Sequence, residues 1–255
     1  MRYFESAPYP QIYRWAIVLL ITAVSVVSQA SAGPRPQAMD DMPGMQGHSG
    51  EDPADGAKLI ADKRESEFNH HFAGMLLILA GIFILTKERL AEHWPIARFA
   101  WPFCFLSAGL FVLVFSDTEI WPWGNQTPYY ALTHNPEDLQ HKVFAIILLV
   151  LGFVEIQRTR GRLKSVWSAL VFPAVSLVGA VLLLFHSHEA GMQGPDPMAV
   201  MEHIQGQHKW YASVGFGIVA TKGLSEVSPK WRQGLNKAWP ILLIVLGMSL
   251  ALYSE

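Results

Sequence analysis

Apolar residues in this chain are gathered into blocks, not spread at the intervals of amphipathic helices or half-buried strands. Six blocks, at about 68–86, 98–116, 141–157, 166–186, 209–223 and 238–253, each approach the ~20 residues that carry an α-helix across a bilayer. They predict an all-α, polytopic membrane bundle of six transmembrane helices over residues 67–255. The fifth block is the weakest. It holds Ser213, Gly215, Gly217 and Thr221, small residues that let membrane helices pack closely, and is expected to be sheltered by its neighbours. A further apolar stretch, Trp15 to Val27, follows Arg2 and Arg14 and precedes Ala30-Ser31-Ala32. Residues 1–32 therefore read as a signal peptide with a small-x-small cleavage site, an uncleaved anchor being the alternative. Residues 33–66 are polar and rich in Pro, Gly, Asp and Met, as expected of a mobile tail. The end of this tail, Ala57 to Phe68, is a candidate short helix leading into the membrane.

Charge then orients the blocks. Lys87, Arg89 and Arg98 lie in one loop, Arg158, Arg160, Arg162 and Lys164 in a second, and Lys222, Lys230, Arg232 and Lys237 in a third. The intervening segments, 117–140 and 187–208, carry neither Lys nor Arg. By the positive-inside rule the basic loops face the cytoplasm, and both mature termini face outward. The signal peptide leads to the same topology independently.

The blocks also repeat in pairs. Odd blocks open with Asn69-His70-His71, Gln140-His141-Lys142 and Gln207-His208-Lys209, so an amide–histidine pair recurs about every 70 residues. Even blocks begin near Trp101-Pro102, near Trp167 with Pro173 beyond it, and near Trp239-Pro240, and each closes on a glutamate, Glu119, Glu189 or Glu255. The pattern is three helical hairpins. Asn135-Pro136-Glu137-Asp138 supplies an N-cap, a first-turn proline and first-turn acids. Asp196-Pro197 repeats the device ahead of the fifth block.

Composition adds exclusions. The chain has 255 residues, of which only 16% are charged, against about 25% in soluble domains. The net charge of −2 offers no basic field for nucleic acid. The single Cys104 rules out an intramolecular disulfide and a cysteine-rich zinc site. No Ser-His-Asp order, P-loop or dinucleotide fingerprint appears, which favours binding over catalysis.

Among ten histidines only His93 falls in a loop predicted to be cytoplasmic. The repeat puts His70 or His71, together with His141 and His208, in the first turns of three inward-running helices. His186 and His188 stand at the same depth, where an outward-running helix ends. Imidazole is the commonest metal ligand and suits copper, zinc and iron. Glu119 and Glu189 at that level are candidates to ligate an ion or to hold a ligating ring. His134, His203 and Met192 are further outer-loop candidates, although a lone histidine at a helix end is more often an interfacial residue. The tail brings Met39, Met42, Met45 and His48 at intervals of three, a soft donor set that selects cuprous copper.

With this Met/His tail, a multi-helix body and outward His70, His141, His186, His188 and His208, the chain resembles the bacterial copper-resistance membrane proteins of the copper resistance protein D type. The resemblance implies copper handling on the periplasmic face of the inner membrane, with periplasmic copper carriers as partners. Competing readings are a b-type haem protein with two ligating histidines, a metal-dependent membrane enzyme using His186-x-His188-Glu189, and a helical scaffold subunit.

Overall fold

The computed structural model describes residues 53–118, 120, 123–186 and 197–254, all within one compact unit spanning Glu51–Glu255. The signal peptide, Met39, Met42, Met45, His48, Glu119, His188, Glu189 and Met192 lie outside the described residues. Among the described residues the elements are helices: α1 (Pro53–His93), a 3-10 turn (Pro95–Phe99), α2 (Ala100–Phe115), α3 (Pro128–His134), α4 (Pro136–Thr159), α5 (Val166–Leu183), α6 (Pro197–Val227) and α7 (Arg232–Ala251), with one isolated bridge between Ile120 and Gln126.

Two boundaries differ from expectation. The tail expected to reach residue 66 is already helical from Pro53, and α1 runs unbroken for 41 residues. A short helix, α3, stands in the segment read as loop; Thr127 caps it by accepting from the Tyr130 N–H, and Pro128 opens it. The predicted cap at Asn135 is in place: its side chain accepts from the Glu137 and Asp138 N–H groups at the head of α4.

Five segments are long and apolar enough to cross a membrane: Ile60–His93, Pro95–Phe115, Pro136–Thr159, Val166–Leu183 and Arg232–Ala251. This is a multi-pass membrane protein. α6, at 31 residues, falls short of the same apolarity and holds its place by packing.

The six long helices close into a ring in which each touches the next: α1 on α2, α2 on α4, α4 on α5, α5 on α6, α6 on α7, and α7 back on α1. Small residues make the closest seams. A Cβ built on Gly74 would stand 2.5 Å from the Gly247 carbonyl oxygen, and one on Gly247 would stand 2.6 Å from that of Gly74. Gly109 meets Ala145 and Leu149 on α4, and Gly215 meets Ala180 on α5. Close backbone approach of this kind supplies the dispersion contacts that hold helices together in lipid, where apolar burial gives no drive.

α2, α5 and α7 each carry a buried aromatic–proline pair, Trp101-Pro102, Phe172-Pro173 or Trp239-Pro240, followed by a small residue at the same interval, Gly109, Ala180 or Gly247. The sequence expectation had set Trp167 beside Trp101 and Trp239. Trp167 is instead 81% exposed, and Phe172 is the equivalent residue. The three aromatics pack as one plug with Phe105: ring centres are 6.1 Å apart for Trp101–Trp239, 5.4 Å for Phe172–Trp239 and 5.7 Å for Phe105–Phe172.

Candidate functional site

The apolar parts of α1, α4 and α6 begin, and α2, α5 and α7 finish, at one end of the ring. Of the three histidines expected in first turns only His141 lies near a helix start, because α1 and α6 begin earlier, at Pro53 and Pro197. At that end the three amides of the repeat perform one task. Asn69 Nδ2 donates to the Phe115 carbonyl at 3.5 Å, Gln140 Nε2 to Phe185 at 3.3 Å, and Gln207 Nε2 to Ser254 at 2.7 Å. Phe115 ends α2, and Phe185 and Ser254 follow the ends of α5 and α7; carbonyls at and beyond a helix end lack an intrahelical donor, and each hairpin satisfies one with the amide that opens it. These clamps set the neighbouring histidines at a common level.

Four histidines come together inside the clamps. Ring centres are 5.2 Å apart for His141–His186, 4.7 Å for His186–His208 and 6.1 Å for His70–His208. Two imidazoles that share an ion at the ~2.0–2.1 Å usual for such bonds have centres roughly 5–6 Å apart. His186 and His208 are buried, at 4% and 1% exposure. Tyr253 stacks on His70 at 3.9 Å, and the Tyr211 ring stands 5.7 Å from that of His208.

The rings are held in one sense. His70 Nδ1–H donates to the Ser66 carbonyl at 2.8 Å, and His141 Nδ1–H donates to Asp117 Oδ1 at 2.7 Å. His186 Nδ1–H donates to Gln140 Oε1; the direction follows because the same amide gives its N–H to Phe185. In its neutral form each of the three rings then has its lone pair on Nε2. Ligating histidines characteristically donate their second nitrogen in this way, to a carboxylate, a carbonyl or another acceptor.

Asp117 is the central acceptor. It is 5% exposed and also pairs with Lys142, Nζ to Oδ2 at 2.6 Å, and with the Ser116 hydroxyl. Burial alone pushes its carboxyl up. The hydrogen bond and charge of His141, then Lys142 and Ser116, outweigh that and hold it below the usual carboxylate range.

The histidines border a cavity of about 350 Å³. Asp62, Glu65, Asp117, Glu137 and Asp138 are among its lining residues at the end where the histidines lie. Its walls below are apolar, and Phe105 and Phe172 of the plug close the floor. Thr118 donates to Glu65 Oε2 at 2.9 Å and ties the histidine end of the cavity to α1.

Other predicted residues stand apart. His71 faces outward and donates Nε2–H to the Tyr253 carbonyl at 2.9 Å, which settles the choice between the paired histidines in favour of His70 for the cluster. His134 is exposed and engaged within α3, stacked on Tyr130 at 4.3 Å. His203 is exposed, in an outer groove with Trp210 and Ser249. Asp117, Asp138 and Tyr211 were not singled out as candidates. The signal available for Asp117 was its place at the end of α2, level with His141.

Among the described residues no three His, Cys, Asp or Glu side chains already converge as a ready-made ligand set. His186 and His208 meet edge to face, at 87°, so a shared ion requires the rings to turn.

At the opposite, basic end lies a second polar group. Glu155 and Lys222 are buried there, at 4% and 6% exposure. Arg158 reaches Glu155 at 2.8 Å and Glu226 at 3.4 Å, Lys222 pairs with Glu226, and the Lys222 ammonium lies 5.0 Å from the Trp239 ring centre. Two charges of each sign balance, as buried ions require. No protein-family model matches this chain, and neither curated proteins nor solved structures provide a match.

Proposed function

We propose that this chain is a bacterial inner-membrane metal-binding protein that handles copper, in uptake, relay or tolerance, through His70, His141, His186 and His208 on the periplasmic face. The observation that carries the reading is the shared orientation of His70, His141 and His186: each gives Nδ1–H to a fixed acceptor, so that Nε2 is the nitrogen each ring would turn to an ion. A histidine that merely caps a helix has no need of neighbours set the same way. The choice of copper over zinc or iron rests on the thioethers of Met39, Met42 and Met45 with His48 in the preceding segment. In this reading the bundle crosses the membrane six times as three hairpins after a cleaved signal peptide, with α6 as the sheltered sixth span. Glu119, His188 and Glu189, outside the described residues, stay in this reading as further candidates to ligate the ion or to hold a ligating ring.

Elemental analysis of the purified, detergent-solubilised protein is the test. About one copper or more per chain after washing is expected. Iron in place of copper moves the assignment to a haem protein, and no retained metal leaves a scaffold role. Topology is tested separately with single cysteines in a Cys104→Ser background: position 128 is expected to label from the periplasm, and position 161 only after permeabilisation.

A further inference from the structure

The buried charges at the basic end stand in line with the cavity. On α6 the lining face runs through His208, Tyr211, Gly215 and Ile218, and its next turn brings Lys222. On α4 it runs through His141, Phe144, Leu148 and Leu151, and its next turn brings Glu155. Residues three and four apart share a helix face, so the two buried ions continue the same path past the floor. The Lys222 ammonium lies 5.8 Å from the Phe172 ring centre and 5.0 Å from that of Trp239. One path therefore holds three layers in order: a chamber whose lining reaches the partly exposed Asp62, an aromatic plug, and an ionic group.

Stability alone does not account for the ionic layer. Well-packed apolar residues commonly match or exceed a buried ion pair, and ionisable residues inside a membrane bundle mark ion pathways and relays. The pairs also have the placement of a lock. α5 stands between α4 and α6 in the ring, and the Arg158–Glu226 bridge, at 3.4 Å, joins those two helices past it. Arg158–Glu155, at 2.8 Å, and Lys222–Glu226 brace the bridge from its two sides. Behind it, α5 carries Pro173 in its interior. A proline there removes a helical hydrogen bond and marks where a helix bends. Pro173 adjoins Phe172 of the plug, so a bend at that point moves the floor.

We propose that the bundle is a gated passage across the membrane for the cation held at the histidines, closed at its inner end by the Phe105–Phe172–Trp239 plug and kept shut by the Arg158–Glu226–Lys222 lock. Parting of the lock frees the inner part of α5 to swing about Pro173, which withdraws Phe172 and joins the chamber to the basic end. The identity of the cargo rests on the copper reading; the gate does not.

The test is thiol accessibility at Ser176→Cys, which lies in the chamber lining one turn outward of Phe172, in the full chain with Cys104→Ser. A membrane-impermeant methanethiosulfonate reagent is added to right-side-out and to inside-out membrane vesicles. With the lock intact, labelling is expected from the periplasmic side only. Lys222→Met with Glu226→Gln leaves Glu155 and Arg158 to balance each other and is expected to speed labelling from the cytoplasmic side at least tenfold. Should that pair of changes prevent folding, Arg158→Gln with Glu226→Gln leaves Lys222 and Glu155 as one charge of each sign and carries the same expectation. A thiol at position 176 reached from neither side, reached equally fast from the cytoplasmic side with the lock intact, or reached no faster in a folded lock variant would each overturn the gate. Labelling needs no metal. A working gate in a chain that retains no copper removes copper as the cargo and leaves the gate, whereas copper retained by a chain whose chamber never opens inward removes the gate and leaves the binding site.

Discussion

His186 and His208 meet edge to face with ring centres 4.7 Å apart, although one follows the end of the second hairpin and the other lies near the start of the third hairpin's first apolar block. No local turn makes that contact. It exists because α5 and α6 pack side by side and because Gln140, from a third helix, orients the His186 ring.

A first prediction uses that dependence. His186→Ala and His208→Ala are each expected to lower bound copper severalfold, while His134→Ala and His203→Ala, both exposed and outside the cluster, leave it unchanged. Removing residues 39–48 is expected to lower it only in part. Copper per chain, read beside the thermal melt of each variant, decides. Equal copper in all five variants would remove the cluster from any metal role.

How far the site could be read in advance depended on which signal was local. The amide–histidine spacing is a feature of the chain itself, so His70, His141 and His208 were legible as one layer. The Pro-to-small interval in Pro102/Gly109, Pro173/Ala180 and Pro240/Gly247 was equally present. It was obscured by matching tryptophan to tryptophan, when the helix needs only some large aromatic at that position and Phe172 serves. What no periodicity reveals is the ring closure. Without it, nothing tells that Asp117 orients His141 across helices, or that Glu155 and Lys222 face inward.

Asp117→Asn is expected to cost about 1.5–3 kcal/mol, the range for hydrogen bonds to a charged group, because Lys142 and His141 lose their shared carboxylate charge and the amide leaves only one acceptor oxygen for the two of them. The wild type carries the matching pH signature. A carboxyl held below its usual range stabilises the fold fully above the unfolded value of ~3.9, and that contribution is lost as pH falls through the lower folded value. Melting temperatures measured from pH 5 to pH 3 should fall in the wild type and fall less in Asp117→Asn. Parallel curves would contradict the assignment.

The seam between α1 and α7 yields a contrast between glycines. Gly74→Val puts side-chain atoms where the Gly247 carbonyl already lies. It is expected to destabilise by at least the ~1–3 kcal/mol typical of overpacking. Gly206→Ala has nothing within 4 Å of the new Cβ and lies inside α6. A gain of roughly 0.5–1 kcal/mol is expected there. Detergent-denaturation midpoints of the two variants should move in opposite directions.

The charges at the basic end test coupling. Glu226→Gln leaves the buried Lys222 without its carboxylate and is expected to destabilise strongly. Lys222→Met in the same chain removes the uncompensated charge and should restore part of the loss. Additive effects in the double-mutant cycle would show that the pair carries no shared energy.

The ring also sets an order of events during synthesis. α1 emerges first of the described helices, yet its closest partner, α7, is made some 140 residues later, after every other wall of the ring. Until then the Gly74 and Gly81 face of α1 stays open to lipid, and His70 lacks the Tyr253 ring that stacks on it. The cluster therefore takes its final form only when the circle shuts, so a chain halted before α7 would offer the ion an unfinished receptor.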